Sequence, residues 1–158
     1  GNFVNRSLVF IHKYFEGQIP DAQCNQAIKR SLVLLFPHVG KLIEQGSFKE
    51  ALDTIFTFIR SSNKYFDEEQ PWITIKNDIN KCKQTLNTCV QIIANLSVLL
   101  YPFLPFSSSK VQNMLKIKKT RWLYIEIPQG LKLDKVEILF VRIDKKIIQE
   151  EEQRLKQS

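Results

Sequence analysis

Apolar side chains return at Val4, Leu8, Ile11 and Phe15, with Phe3, Phe10 and Tyr14 beside them, and that spacing predicts a helix over residues 2–15 with one wide buried stripe. Asn2, Arg6, Val9 and Lys13 stack along the edge of the stripe, because residues three and four apart lie one above another on a helix. Gly17 and Pro20 close this helix. Asp21, a good N-cap, opens a second helix that passes Leu32, Leu35, Val39 and Leu42 to Gly46; Pro37 inside it removes one backbone hydrogen bond and predicts a kink. Ser47 followed by Glu50 has the form of a capping box, and Phe48, Leu52, Ile55, Phe56 and Ile59 carry a third helix to about Asp67.

Beyond Pro71 and Trp72 the pattern predicts a fourth helix from about Asp78 to Leu100, with Leu86, Val90, Ile93, Leu96 and Leu100 as its core face and Pro102 and Pro105 as its stop. The stretch "PFSSSKVQNMLKI" reads as a short fifth helix with a serine cap. About five helices joined by short turns predict an all-α fold, an antiparallel bundle. From Arg121 to Phe140 the segments "RWLYIEI" and "KVEILFVRI" are aromatic and β-branched, split by Pro128 and Gly130, and read as an extended strap. Asp144 to Gln157 reads as a charged terminal helix whose few apolar positions require something else to pack on. The chain therefore divides into a helical body, residues 1–117, and a C-terminal peptide, residues 118–158.

Composition adds limits. A 158-residue chain with 44% hydrophobic and 25% charged residues is ordinary for one globular domain that buries about two thirds of its unfolded surface. Its three cysteines, Cys24, Cys82 and Cys89, form no CxxC pair and have only two histidines for company, which argues against a zinc site or a disulfide scaffold and suits a reducing cytoplasm. Cys82 and Cys89, seven apart, share a helix face and read as small buried apolar groups. The run from Val90 to Phe106 carries Gln91, Asn95, Ser97 and two prolines and falls short of the roughly 20 apolar residues of a membrane span. Residue 1 begins inside an amphipathic pattern, so the chain reads as a piece of something longer. Residues 1–70 hold eight basic and eight acidic side chains, whereas residues 71–158 hold fifteen and eight, so the whole net charge of +7 lies in the second half. Its densest point is "KIKKTR", with Lys116, Lys118, Lys119 and Arg121, and both a polyanion partner and a solvated lysine-rich face account for it.

Trp72, directly after a proline at a helix end, can either cap the core or offer a stacking surface to an unpaired base. Stacking does not choose a base, so a reader of sequence also needs donors and acceptors at base edges. Asn2 and Arg6, one turn apart, carry an amide and a guanidinium fork suited to that task, or else to local contacts at a helix start.

The stretches "GNFVNR" and "KYFEG", then "SNKYFDEEQPW", then "LSVLLYPFLPFSSSKV" resemble, in order and spacing over residues 1–117, the anticodon-binding domain of methionyl-tRNA synthetases, a class I aminoacyl-tRNA synthetase family. "LFVRIDKKIIQEEEQRL" is similar to the family's C-terminal peptide, which runs back toward the catalytic domain. The resemblance implies recognition of the CAU anticodon of tRNA(Met): Trp72 stacks on the splayed-out wobble cytosine while Asn2 and Arg6 read base edges, with Asn5 a rival for the asparagine role and Asn63 and Tyr65 as supports that shape the pocket. It also implies ATP, and zinc as a further candidate, as cofactors of the family's catalytic domain, which is then this chain's partner within one polypeptide. The HIGH and KMSKS signatures and a zinc-knuckle cysteine cluster are absent, so this piece alone is expected to be inactive, with no catalytic residue and no metal ligand of its own. The basic residues Lys116, Lys118, Lys119 and Arg121 then meet the tRNA backbone, which sets register without carrying sequence information. Two rival readings are the anticodon domain of a cysteine, isoleucine, leucine or valine synthetase, and a helical protein-interaction module.

Overall fold

The computed structural model describes residues 3–134, and within them the chain is helical with no named strand. Six helices follow one another: α1 (Phe3–Tyr14), α2 (Gln26–Glu44), α3 (Phe48–Glu69), α4 (Pro71–Asn77), α5 (Ile79–Leu99) and α6 (Pro105–Met114). The predicted terminal helix from Asp144 and the segment "KVEILFVRI" lie outside the described residues.

The centre of the fold is α5, which packs against α1, α2, α3, α4 and α6. From Thr85 to Leu99 every residue of it is buried, so the helix has no solvent face for most of its length. Burying Asn87, Gln91 and Asn95 costs free energy unless each polar atom is bonded. Asn87 donates to the Pro20 carbonyl at 3.0 Å and accepts from Gln91 at 3.3 Å, and the strap supplies the partners of the other two. Gln91 accepts from the Ile127 N–H at 2.7 Å and donates to the Ile127 carbonyl at 2.9 Å; Asn95 does the same with Ile125, at 2.8 and 2.9 Å. Two side-chain amides one turn apart thus imitate the edge of a β-strand, and residues 125–127 run extended across the helix.

The strap is pinned at both ends as well. Ile19 donates to the Leu131 carbonyl and accepts from Gly130, and Gln18 and Lys132 form an isolated antiparallel bridge. At the other end Trp122 reaches α2 through its indole. These contacts explain one departure from expectation: residues 18–20 are held extended, so α2 cannot start at Asp21. Its cap is Asn25, whose side chain accepts from the Ile28 N–H at 3.1 Å.

Three further expectations need correction. Ser47 stands at the N-cap of α3 without a side-chain cap bond; its own N–H, which a capping box would give to Glu50, is taken by the Leu42 carbonyl at 2.8 Å in the tight turn from α2. Helix α6 is capped by Leu104 and not by a serine, because Pro105, lacking an N–H and preset in φ, takes the first helical position. The sequence after Pro71 is itself a helix, α4, and only Asp78 separates it from α5, which Asp78 caps by accepting from the Lys81 N–H. Cys82 and Cys89 are fully buried, Cys24 nearly so, and all three are free thiols.

Candidate nucleic-acid interface

The junction of α3 and α4 sets the site. Gln70 is at once the C-cap of α3 and the N-cap of α4, and it takes the left-handed conformation, φ +50°, so the chain turns a corner without a glycine. Its N–H still reaches the Phe66 carbonyl, and its own carbonyl accepts from Ile73 and Thr74. Pro71 then occupies the first position of α4, where a missing N–H costs nothing, and is itself buried. The thiol of Cys82 approaches the Pro71 carbonyl at 3.7 Å, and Lys81 pairs with Glu69 at 3.5 Å, which ties the corner to α5. With Pro71 turned inward, the next residue faces out: Trp72 is 43% exposed.

Arg6 comes to the same place from α1. Its guanidinium lies 4.5 Å from the centre of the Phe66 ring, and Phe66 in turn meets Trp72 with ring centres 6.1 Å apart at 38°. Phe66 is buried and serves as the floor between an exposed indole and a cation. Asp67 fixes the guanidinium from the side through one Nη2 bond of 2.7 Å, leaving the other donors of the fork for a further partner. Residues 66 positions apart in sequence therefore converge on one surface: a half-exposed aromatic face beside a preset planar donor.

The other sequence-predicted residues are less close to that centre. Asn2 lies outside the described residues. Asn5 is half-buried on α1 and engaged in a contact of its own. Asn63, one turn before Asp67 on α3, donates to the Ile59 carbonyl at 3.3 Å and leaves its amide oxygen buried without a partner among the described residues. Tyr65 points elsewhere: its ring packs on the core and borders a cavity of about 280 Å³ with Ile28, Phe58 and Ile92, where burial pushes its hydroxyl above the usual range. Lys116, Lys118, Lys119 and Arg121 are all exposed after α6, and Lys116 pairs with Asp134 at 3.7 Å. Asp134 and Leu133 bond to Met114 and Gly17 respectively, so this basic turn adjoins the C-terminal end of α1, away from Arg6. Phe66 and Asp67 were not picked out from the sequence, although Phe66 falls seven residues after Ile59 on the same α3 stripe.

A helical bundle that sets a half-exposed indole beside an arginine fork offers a stacking face and hydrogen-bond donors side by side. Residues 20–157 match the family described as the anticodon binding domain of methionyl tRNA ligase, and the chain belongs to that family. It is 48% identical over 159 residues to the methionine–tRNA ligase of Streptococcus pneumoniae (strain CGSP14), covering all of this chain and 29% of that protein. Methionine–tRNA ligase 1 of Alkaliphilus oremlandii (strain OhILAs) is 44% identical over 151 residues, with 96% of this chain and 28% of the relative covered. The chain thus spans less than a third of the length of these relatives. In fold it is similar to the crystal structure of the apo form of Mycobacterium tuberculosis methionyl-tRNA synthetase, with a TM-score of 0.81 at 22% identity, covering 91% of this chain and 32% of that one. Among the described residues no helix is long and apolar enough to cross a membrane, and no three His, Cys, Asp or Glu residues are placed to share a metal ion.

Proposed function

We propose that this domain recognises the CAU anticodon of tRNA(Met) and, as part of a methionine–tRNA ligase, presents that tRNA for charging. The observation that carries the proposal is the alignment of Arg6, Phe66 and Trp72. The exposed indole takes the wobble cytosine by stacking, an interaction worth about 1–3 kcal/mol per base. The Arg6 fork, held over Phe66, offers its remaining donors to a base edge or a phosphate. Asn2, four residues before Arg6, supplies an amide with both a donor and an acceptor, and Asn5 and Asn63 flank the row. Tyr65 supports from behind, by filling the α2 and α3 side of the core. Lys116, Lys118, Lys119 and Arg121 meet the tRNA backbone as an electrostatic, sequence-independent contact.

ATP and methionine are the business of the remaining part of the ligase, the partner of this domain within one polypeptide; residues 1–117 form the reading body and residues 118–158 the peptide that returns toward that partner. Zinc, if the ligase holds it, has no ligand trio among the described residues. Binding energy gathered here counts only in the step that involves the tRNA. The test compares CAU stem-loops carrying cytosine or another base at the wobble position. The chain should prefer cytosine, and Trp72→Ala should lose about tenfold to a hundredfold in affinity and most of the preference. Equal binding of both stem-loops by the unaltered chain would overturn the reading.

A further inference from the structure

The row that carries Arg6 does not stop at the base-reading centre. On α1 Val9 and Lys13 follow Arg6 at helical spacing, and both side chains are exposed, Val9 at 45%. Tyr14 beside them is 44% exposed, packs on Phe10 with ring centres 4.5 Å apart and planes tilted by 39°, and carries the Lys13 ammonium 5.2 Å from its own ring centre. Phe10 is buried and holds the tyrosine ring in place. Lys64, Lys81 and Lys116 each pair with a carboxylate and Lys29 pairs with Glu126 while lying over the Tyr124 ring, whereas the Lys13 ammonium contacts the Tyr14 ring. The row also leads to the end of α1 that adjoins the basic turn after α6.

We propose that Lys13 and Tyr14 form a second nucleic-acid contact, one that grips the sugar–phosphate backbone on the stem side of the anticodon; it rests on the reading of Arg6 and Trp72 as the anticodon centre. The spacing supports it. Seven residues of helix at about 1.5 Å each place Lys13 roughly 10 Å from Arg6. A stacked strand advances about 3.4 Å per nucleotide, so Lys13 stands about three nucleotides from the base held at Arg6. That distance leaves the triplet and enters the flanking backbone, where a compact ammonium is suited to a phosphate as a point charge. Tyr14 adds a hydroxyl donor for a phosphate oxygen and a ring face for a sugar, and Val9 gives apolar contact between the two centres. An acidic protein would find the same cation, but it would have no use for a charge aligned with a base-reading arginine on one helix row.

The test measures the salt dependence of binding by the full chain, using a CAU hairpin with a complete stem and the seven-nucleotide loop alone as a linear strand. Lys13→Gln should lower the slope of log affinity against log salt by about one with the hairpin, so that the ratio of unaltered to variant affinity shrinks about threefold between 50 and 200 mM salt. The loss should be the same for cytosine and for another wobble base, and it should vanish with the linear loop. Lys13→Arg should restore the slope, and Tyr14→Ala should weaken hairpin binding alone. An unchanged slope in Lys13→Gln, an equal loss on the linear loop, or no rescue by arginine overturns the proposal. Should the unaltered chain fail to prefer cytosine while Lys13→Gln still lowers the slope, the wobble-base reading falls and the backbone contact stands.

Discussion

Trp122 donates its indole N–H to the carbonyl of Phe36 at 2.7 Å, and it can do so because Gly40, one turn further along α2, has no side chain in the way. A Cβ at residue 40 would stand 2.8 Å from that indole nitrogen, closer than real Cβ contacts allow. The ring also meets Phe36 edge-on at 5.5 Å. This is where the strap leaves α2 and starts toward the amides of α5.

Gly40→Ala should therefore act in opposite directions in two backgrounds. In the unaltered chain it crowds Trp122 and costs roughly 1–2 kcal/mol, since overpacking outweighs the gain in helix propensity. With Trp122→Ala already made, the clash is gone, and the same change should stabilise by up to about 1 kcal/mol. Urea titration of the four chains measures both. A destabilising effect in both backgrounds would mean that Gly40 is needed for the path of α2 itself.

The strap's second anchor makes a sharper demand. Gln91→Leu leaves the N–H and the carbonyl of Ile127 without partners inside the protein, and Asn95→Leu does the same to Ile125. Each unpaired buried group costs about 1–3 kcal/mol, so either variant should lose more than 2 kcal/mol in chemical denaturation. The double variant should lose less than the sum, because a strap released at one amide no longer holds register at the other.

The long apolar stripes were legible because burial dictates them: Leu8 and Ile11, or Leu52 and Ile55, have no other reason to recur at that spacing. What could not be read was whatever depends on a partner distant in sequence. Gln91 and Asn95 looked like breaks in an apolar run, and their meaning lies more than thirty residues on, in the backbone of the strap. Helix α4 was missed because seven residues are too few for a periodicity, and its start rests on the unusual backbone of Gln70. Asp21 and Asn25 are equally good caps on paper, and the pairing of Ile19 with Leu131 decides between them. The site was similar: Arg6 and Trp72 were named through a family resemblance, but Phe66, the ring that joins them, has no signal beyond its place on a core stripe.

Cys89 gives a prediction in pH. Desolvation by complete burial, the largest effect on it, raises its thiol from 9.0 to about 12. The folded chain holds that proton more firmly than the unfolded chain does, so the contribution is fully present below pH 9 and is lost as pH rises toward 12. Stability should fall by up to about 1.4 kcal/mol per pH unit in this window from this one group. Cys89→Ala should be less stable at pH 7 but show a shallower alkaline decline. The thiol should also stay silent to a disulfide reagent at pH 8 until the chain unfolds. Rapid reaction of all three cysteines in the folded chain would contradict this.

The two tryptophans offer the most direct contrast between holding the fold and using it. Trp122 is half-buried, bonded through its nitrogen and packed on Phe36; Trp72 is 43% exposed, and its ring touches the buried Phe66. Trp122→Ala should cost about 3 kcal/mol of stability through lost packing and the lost bond to the Phe36 carbonyl. Once allowance is made for the fraction folded, its effect on stem-loop binding should not depend on the wobble base. Trp72→Ala removes much less buried surface and should cost about 1 kcal/mol or less. Its effect should appear in recognition, as a loss concentrated on the cytosine stem-loop. Fluorescence separates the two in the unaltered chain as well. A base stacked on the Trp72 indole should quench its emission as the stem-loop is added, so a chain with Trp122→Phe should keep nearly all of the quenching and a chain with Trp72→Phe nearly none. If Trp72→Ala instead unfolds the chain as readily as Trp122→Ala, then its ring is a cap on the core, and the corner at Pro71 exists to close the bundle and not to present a base-reading surface.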